Sequence, residues 1–233
     1  MPVFTCFPQE TIPFFLQLAM NNSQSWFHEH HEEYIACVQK PFYDLIDTLA
    51  PFMRQIDPQM EVRPNKCLAR IHRDTRFSKD KSPYRDHLWL LFRRAAEPRE
   101  QCLMFWFEFG PREISWGLGF WGENRPVMDM LRRRMDARPD EWLRLLEKAD
   151  LSAHQLALGG DDWKRLPVPG SLPVGLIPLY IKKTPYFSTH RGDISLGLKP
   201  GLVDLLKEDY AALAPFYHAF RGMMDETLSE VSG

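Results

Sequence analysis

The chain has 233 residues, of which 44% are hydrophobic and 26% are charged. This composition is typical of a globular protein and argues against disorder, and a chain of this length buries roughly 70% of its unfolded surface without needing a disulfide or a metal. The formal net charge of −2 and the isoelectric point near 6.5 argue against binding to extended duplex nucleic acid, which usually requires a strongly basic domain.

The sequence shows no sign of secretion or membrane insertion. The four cysteines are widely separated and form no Cys-x-x-Cys pair. No basic region followed by a long apolar core opens the chain, and no stretch approaches the roughly 18 uncharged apolar residues that a membrane helix requires. We therefore expect a cytoplasmic protein with reduced, buried cysteines and no membrane association.

The first part of the chain predicts helices. Thr11 precedes Pro13 and the apolar run 14–18, which predicts a short helix with Thr11 near its cap. The pattern from Gln24 to about Met53 is helical again, with Pro41 inside it. Because proline removes a backbone donor and clashes with the preceding turn, we expect a kink at Pro41 or two helices meeting there.

The middle of the chain predicts strands. Four short runs are rich in aromatic and branched residues, namely 68–73, 87–92, 103–109 and 114–121. The turn-forming residues 110–113 separate the last two runs and predict a hairpin. Gly117 and Gly119 predict a bulge, or the close approach of another group to the backbone.

Helical patterns return after the strands. They begin near Pro126 and Pro139, and two further helices are expected near the C-terminus, one containing residues 202–206 and the other 216–228. Residues 159–201 are rich in proline and glycine and predict short elements. The order predicts the α+β class, with a mainly antiparallel sheet from the central third packed against N- and C-terminal helices in a single domain, 1–233.

The charge distribution points to a candidate site. Residues 1–62 hold two basic and eight acidic side chains, whereas residues 63–94 hold ten basic and three acidic ones. Arginine suits bidentate contact with phosphate or carboxylate, and lysine supplies a point charge. We therefore expect a phosphate-bearing small molecule or nucleotide to bind the basic run, in a loop anchored by Phe77. The predicted ligand-binding residues are Arg70, Arg73, Asp74, Arg76, Lys79, Lys81 and Tyr84.

Two of these residues have more specific expected roles. Asp74 would orient the arginines or act as an acid–base group, and Tyr84 would close one side of the site. The same run also has a structural interpretation, in which Arg73, Arg76 and Asp74 form a buried ion network that pins the loop. The protein would then be a non-enzymatic interaction or structural protein. Whether it catalyses a reaction stays open.

Other motifs indicate neither a metal nor a cofactor. His28, His31 and Glu32 would share a helix face, but acidic residues are favoured in a first turn and polar helix faces are usually solvated, so no metal is predicted. No Walker loop is present, and no cofactor is predicted. Three further loop cations could join the first cluster in space: Lys164, Arg165 and Lys182.

The basic run Arg70-x-x-Arg-Asp-Thr-Arg-Phe-Ser-Lys-Asp-Lys-Ser-Pro-Tyr84 also resembles the signature of a family, domain of unknown function 2461. The resemblance continues elsewhere in the same order, at Asn21-Asn22, Trp26-Phe27, Tyr34 and Pro41-Phe42, and more weakly at Gly117-x-Gly119, Asp162–Pro167 and Leu179–Lys182. It implies one family-wide domain over most of the chain. It supplies no activity, substrate or catalytic residue for these positions.

Overall fold

The computed structural model describes residues 3–76 and 79–232. Phe77, the predicted anchor of the central loop, lies outside the described residues. The helices before the sheet are α1 (Thr11–Met20), α2 (Gln24–Glu29), α3 (His31–Tyr34), α4 (Lys40–Ile56) and α5 (Pro64–Cys67), and a π-helical turn, Ile35–Gln39, joins α3 to α4.

The predicted interruption at Pro41 is confirmed, and Thr11 takes part in it. Pro41 has no N–H to donate to the carbonyl of Cys37 four residues earlier, and the chain forms a π-helical turn at this point. The buried hydroxyl of Thr11 donates to the Cys37 carbonyl at 2.6 Å instead. As predicted, Thr11 lies near the helix cap, as the residue after the cap residue Glu10, and its side chain supports the π-helical turn.

The sheet confirms the predicted strand-rich middle of the chain. Its strands are β1 (Leu88–Phe92), β2 (Leu103–Phe109), β3 (Ile114–Phe120), β4 (Ala157–Gly159) and β5 (Tyr186–Arg191), in the order β1-β2-β3-β5-β4. The sheet is antiparallel, and β4 pairs with β5 with Leu158 opposite Phe187. The predicted strand 68–73 is extended chain with isolated bridges to residues 84 and 90 rather than a strand of the sheet.

The predicted close approach at Gly119 is also present. A Cβ atom at this position would lie 2.4 Å from the Cβ of Tyr186 and 2.8 Å from its Cα, because β5 passes directly against the glycine. Strand β5 was not predicted, since Ser188 and Thr189 interrupt its apolar pattern even though both are buried.

The elements after the sheet hairpin are α6 (Arg125–Ala137), α7 (Pro139–Ala149), α8 (Ile177–Tyr180) and α9 (Leu202–Ser232), with 3-10 turns at Arg99–Gln101, Val174–Leu176 and Ile194–Leu196. The prediction of two separate C-terminal helices is wrong, because α9 is continuous through Pro215. Its buried positions continue at helical spacing on both sides of the proline, and packing of that stripe outweighs the lost hydrogen bond. The buried positions of α9 include Leu202, Leu206, Tyr210, Leu213, Phe216, Phe220 and Met223.

The chain divides into two compact units. The first comprises the chain up to Phe92, Trp106–Trp116 and His190–Lys207, and the second comprises Arg93–Phe105, Gly117–Thr189 and the chain from Glu208 onward. In the first unit the ring of Phe7 packs against three other rings, those of Phe42, Phe107 and Phe109. In the second unit helix α9 contributes several of the core aromatic rings, including those of Tyr210 and Tyr217, which contact the ring of Phe105.

Helices before and after an antiparallel sheet confirm the predicted α+β class. None of the helices in the described ranges has both the length and the apolar character needed to cross a membrane.

Candidate functional site

The basic run lies in a two-stranded extended ribbon of the first unit. The Ala69 N–H donates to the Trp89 carbonyl, the Arg85 N–H to the Ile71 carbonyl, and the Arg73 N–H to the Pro83 carbonyl, at 2.8–2.9 Å. We call residues 68–72 and 83–89 the ribbon base and residues 73–82 the ribbon tip. The tip is described except for residues 77 and 78.

The ribbon base is fixed to the helices by Asn22 and Phe27. The Asn22 side chain donates to the Tyr84 carbonyl at 2.9 Å and accepts from the Tyr84 N–H at 3.0 Å, so it replaces the hydrogen bonds that a neighbouring strand would make. The ring of Phe27 stacks on that of Tyr84 with centroids 4.2 Å apart. Tyr84 is only 4% exposed, and its observed place is a buried anchor of the ribbon.

Three of the four cations of the ribbon tip, Arg73, Arg76 and Lys81, have partners within the tip. The Arg76 guanidinium makes a bidentate pair with the Asp74 carboxylate, at 3.0 and 2.7 Å. Arg73 pairs with Asp80 at 3.1 Å, and the Lys81 ammonium donates to the Thr75 carbonyl at 2.8 Å. These contacts are local, since each joins residues no more than seven positions apart.

The tip pairs are exposed rather than buried. The side chains of Arg76 and Asp74 are 77% and 53% exposed, and those of Arg73 and Asp80 are 27% and 54% exposed. Hydrogen bonds from Arg76 lower the pKa of the Asp74 carboxyl to about 2, so this carboxylate is ionised at neutral pH. The predicted pairing of Arg76 with Asp74 exists, but in a solvated loop.

A hollow of about 220 Å³ lies beside the ribbon base in the first unit. It is bounded by α2 and α3, the π-helical turn, α4, α5 and the first chain of the ribbon. Its lining residues are Phe27, His31, Tyr34, Gln39, Tyr43, Asn65, Leu68, Ala69, Arg70, Ile71 and His72. Of the predicted site residues, Arg70 lines the hollow. Lys79 and the paired cations of the tip are not among the lining residues.

Among the described residues, the hollow has one cation without a carboxylate partner and several other polar side chains. Arg70 is exposed, and no carboxylate in the described ranges pairs with its guanidinium. His31 and His72 are exposed beside it, and the amides of Gln39 and Asn65 complete the polar part of the wall. Because the hollow places a guanidinium among amide and imidazole groups, it suits a small anion.

Two tyrosines add hydroxyl groups to the same wall. Tyr34 is 4% exposed and lines the hollow, and no described residue is hydrogen-bonded to its hydroxyl. Burial of Tyr34 and, to a smaller extent, the nearby Tyr43 raise the pKa of the Tyr34 hydroxyl above its usual value. The hydroxyl therefore keeps its proton and remains a donor at physiological pH. Phe27 and Ile71, both buried, supply apolar surface at the same place.

Most of these lining residues were not predicted. His31 was considered only for a metal trio, and among the described residues no group of three His, Cys, Asp or Glu side chains is arranged to hold a metal ion. Tyr34, Gln39 and Tyr43 come together because the chain forms a π-helical turn between α3 and α4, and such turns are frequent at functional sites. The signal in the sequence was Pro41, which indicated an irregular helix but not which side chains it would expose.

The three later cations belong to the second unit, and one of them is already neutralised. The Lys182 ammonium donates to the Gly160 carbonyl and pairs with Asp162, both at 2.8 Å, and its side chain is 13% exposed. Lys164 and Arg165 are exposed. The expectation that they join the first cluster stays a prediction.

Comparison with known proteins gives one match. The family model described as a conserved hypothetical protein, DUF2461, matches residues 10–218. No curated protein and no solved structure matches the chain. The matched range includes the ribbon, the π-helical turn and every residue that lines the hollow. The chain belongs to the DUF2461 family.

Proposed function

We propose that the protein binds a small phosphate-bearing ligand in the hollow beside the ribbon base. The observation that carries this proposal is Arg70, a guanidinium without a carboxylate partner in the described ranges that lines a concave surface with His31 and His72. Arginine is suited to bidentate contact with phosphate oxygens, and imidazole and amide N–H groups satisfy the oxygens that remain.

The ligand combines an anionic group with an apolar or planar part. Phe27, Leu68 and Ile71 line the hollow together with the polar groups, and the rings of Tyr34 and Tyr43 add aromatic surface. A volume of about 220 Å³ lies below the roughly 300–1,000 Å³ of drug-sized pockets. The hollow therefore suits a phosphorylated sugar or the phosphate-bearing end of a nucleotide.

The proposed site keeps Arg70 from the predicted set and assigns the tip another role. Asp74, Arg76, Arg73 and Lys81 hold the shape of the tip through their exposed pairs. Tyr84 positions the ribbon base from within the core. Since Arg70 follows Ala69, whose N–H bonds to the Trp89 carbonyl, the same ribbon that carries the tip fixes the backbone of the binding residue.

The pairing within the tip also favours a second candidate function. If all five cations of the run serve structure, the protein is an interaction or structural protein and the hollow binds no anion. A melting experiment separates the two functions. A specific ligand at a hundred times its dissociation constant stabilises the folded state by about 2.7 kcal/mol, whereas the structural alternative predicts no shift.

Calorimetric titration with inorganic phosphate, ribose 5-phosphate and AMP tests the proposal on the wild-type chain and on Arg70→Gln. Hydrogen bonds to charged groups contribute about 1.5–3 kcal/mol, so we expect Arg70→Gln to weaken binding roughly ten- to hundred-fold. Because part of the attraction is electrostatic, binding should also weaken between low and moderate salt.

The matched control is Arg76→Gln, which removes the same charge from the neighbouring tip. We expect its affinity to stay within about twofold of wild type, because solvent and salt screen a charge that does not contact the ligand. Equal losses in the two variants would show that net charge alone attracts the anion. If none of the three probes binds, the alternative holds, in which the cations serve structure and the hollow binds no anion.

A further inference from the structure

The second unit contains a larger groove that the proposed function does not use. It lies among α6, α7 and α9 and has a volume of about 480 Å³. Its lining residues are Arg133, Arg134, Ala137, Arg138, Glu141, Trp142, Leu145 and Ala219. A volume in this range is typical of small-molecule sites.

The groove has an apolar floor that is fixed by the core. Trp142 is 5% exposed, and its ring lies 6.5 Å from that of Phe220 in α9. Ala137, Leu145 and Ala219 continue the apolar lining. An aliphatic chain placed on this floor would remove apolar surface from water, at roughly 25 cal/mol for each Å² buried.

Arginine side chains surround this floor. Arg134 already binds a carboxylate, because its guanidinium contacts both oxygens of Glu226 at 2.5 Å. Arg138 contacts Glu141 at 3.4 Å, with both side chains more than half exposed. Arg133 is exposed, and within the described ranges no carboxylate pairs with it. The lining therefore contains one cation without a carboxylate partner in the described ranges, beside a guanidinium that contacts a carboxylate of the same chain.

We propose that this groove binds an amphipathic anion, an aliphatic carboxylate whose head contacts Arg133 and Arg138 and whose chain lies on the Trp142 floor. The head needs guanidinium groups and the tail needs an apolar surface, and residues of both kinds line the groove. Glu226 limits the positive charge available to the head, because its carboxylate holds Arg134, a third arginine that lines the groove.

Titration of the full chain with decanoate, decanol and acetate tests this proposal, with binding followed by calorimetry. Decanol lacks the charge and acetate lacks the tail, so we expect decanoate to bind at least tenfold more tightly than either. The double variant Arg133→Gln/Arg138→Gln should lose roughly ten- to hundred-fold in decanoate affinity. Both residues are exposed, and circular dichroism will establish that the variant remains folded.

Glu226→Gln is an independent test, in which the affinity for decanoate should rise rather than fall. It frees the Arg134 guanidinium, which also lines the groove, to attract the carboxylate head, and we expect the variant to bind decanoate more tightly than wild type. Arg70→Gln should bind decanoate like wild type, which separates this groove from the hollow of the first unit. Decanoate binding no tighter than decanol, or unchanged in the double variant, would overturn the proposal.

Discussion

The base and the tip of the ribbon are adjacent in sequence and similar in charge, yet their cations have different surroundings. In the tip, Arg76 finds Asp74 two residues away and Arg73 finds Asp80 across the loop. In the base, Arg70 is followed by Ile71 and His72, and no carboxylate in the described ranges pairs with it. A dense basic run therefore indicates a binding site only where its cations outnumber the acidic residues close enough to pair with them.

The two regions also differ in what fixes them. The base is held by the two hydrogen bonds between the Asn22 side chain and the Tyr84 backbone, and by the stacked rings of Phe27 and Tyr84. The tip is held by exposed ion pairs, which typically contribute little to stability. Substitutions should therefore destabilise the protein strongly at the base and weakly at the tip.

Replacement of Tyr84 by alanine should have the largest effect. Tyr84 is buried against Phe27, and removal of a buried aromatic ring costs about 3–5 kcal/mol of unfolding free energy. Urea denaturation of the variant measures this loss. Tyr84→Phe keeps the ring and should lose less than about 1 kcal/mol. If both variants behave alike, the ring does not anchor the ribbon.

Replacement of Asn22 by alanine should have an intermediate effect. It leaves the N–H and carbonyl of Tyr84 without their partner, and an unsatisfied buried polar group costs about 1–3 kcal/mol. Asn21→Ala is the matched control, because the Asn21 side chain donates to Gln17 at an exposed site. Denaturation should separate the two variants. Equal losses would show that Asn21 and Asn22 act at the end of helix α1, rather than through the hydrogen bonds of Asn22 to Tyr84.

Replacement of Arg73 by alanine sharpens the comparison at the tip. A buried ion network would lose ~3–5 kcal/mol of unfolding free energy. Because the Arg73–Asp80 pair is exposed, we expect a loss smaller than that of Asn22→Ala. Denaturation at low and moderate salt checks this, and a small difference that shrinks with salt is the expected pattern. A loss as large as that of Tyr84→Ala would restore the buried-network hypothesis.

The smallest expected effect is a pH-dependent one at Asp74. Its folded pKa is lowered to about 2 by Arg76, so the associated stabilisation is present above about pH 4 and is lost as the pH falls through about 2. In Arg76→Gln the Asp74 pKa should rise toward the ordinary value near 4. Carboxyl-carbon NMR measures both titrations. An unchanged pKa in the variant would mean that Arg76 does not hold this carboxylate in solution.

Much of the fold follows from local sequence patterns, because periodicity and proline act at short range. The strands 103–109 and 114–120, the turn between them and the irregular helix at Pro41 were all predicted. Strand β5 was not, because its polar residues Ser188 and Thr189 are buried only through tertiary packing. The continuity of α9 through Pro215 was missed for the same reason.

The candidate site was harder to predict because it joins distant segments. Arg70 was identified from charge density, but its companions His31, Tyr34 and Tyr43 lie in helices far away in the sequence. An ion network of Arg73, Arg76 and Asp74 was a stated alternative, and only side-chain geometry shows that Arg76 takes Asp74 whereas Arg73 takes Asp80. Tyr84 was assigned to the ligand because its burial is not visible in a charged run.

The most direct test of the proposed hollow is ¹⁵N NMR of the arginine side chains during titration with ribose 5-phosphate. We expect the Nε–Hε resonance of Arg70 to shift together with the imidazole signals of His31 and His72, while that of Arg76 stays in place. Movement of Arg76 with Arg70 unchanged would place the anion at the ribbon tip and contradict the account.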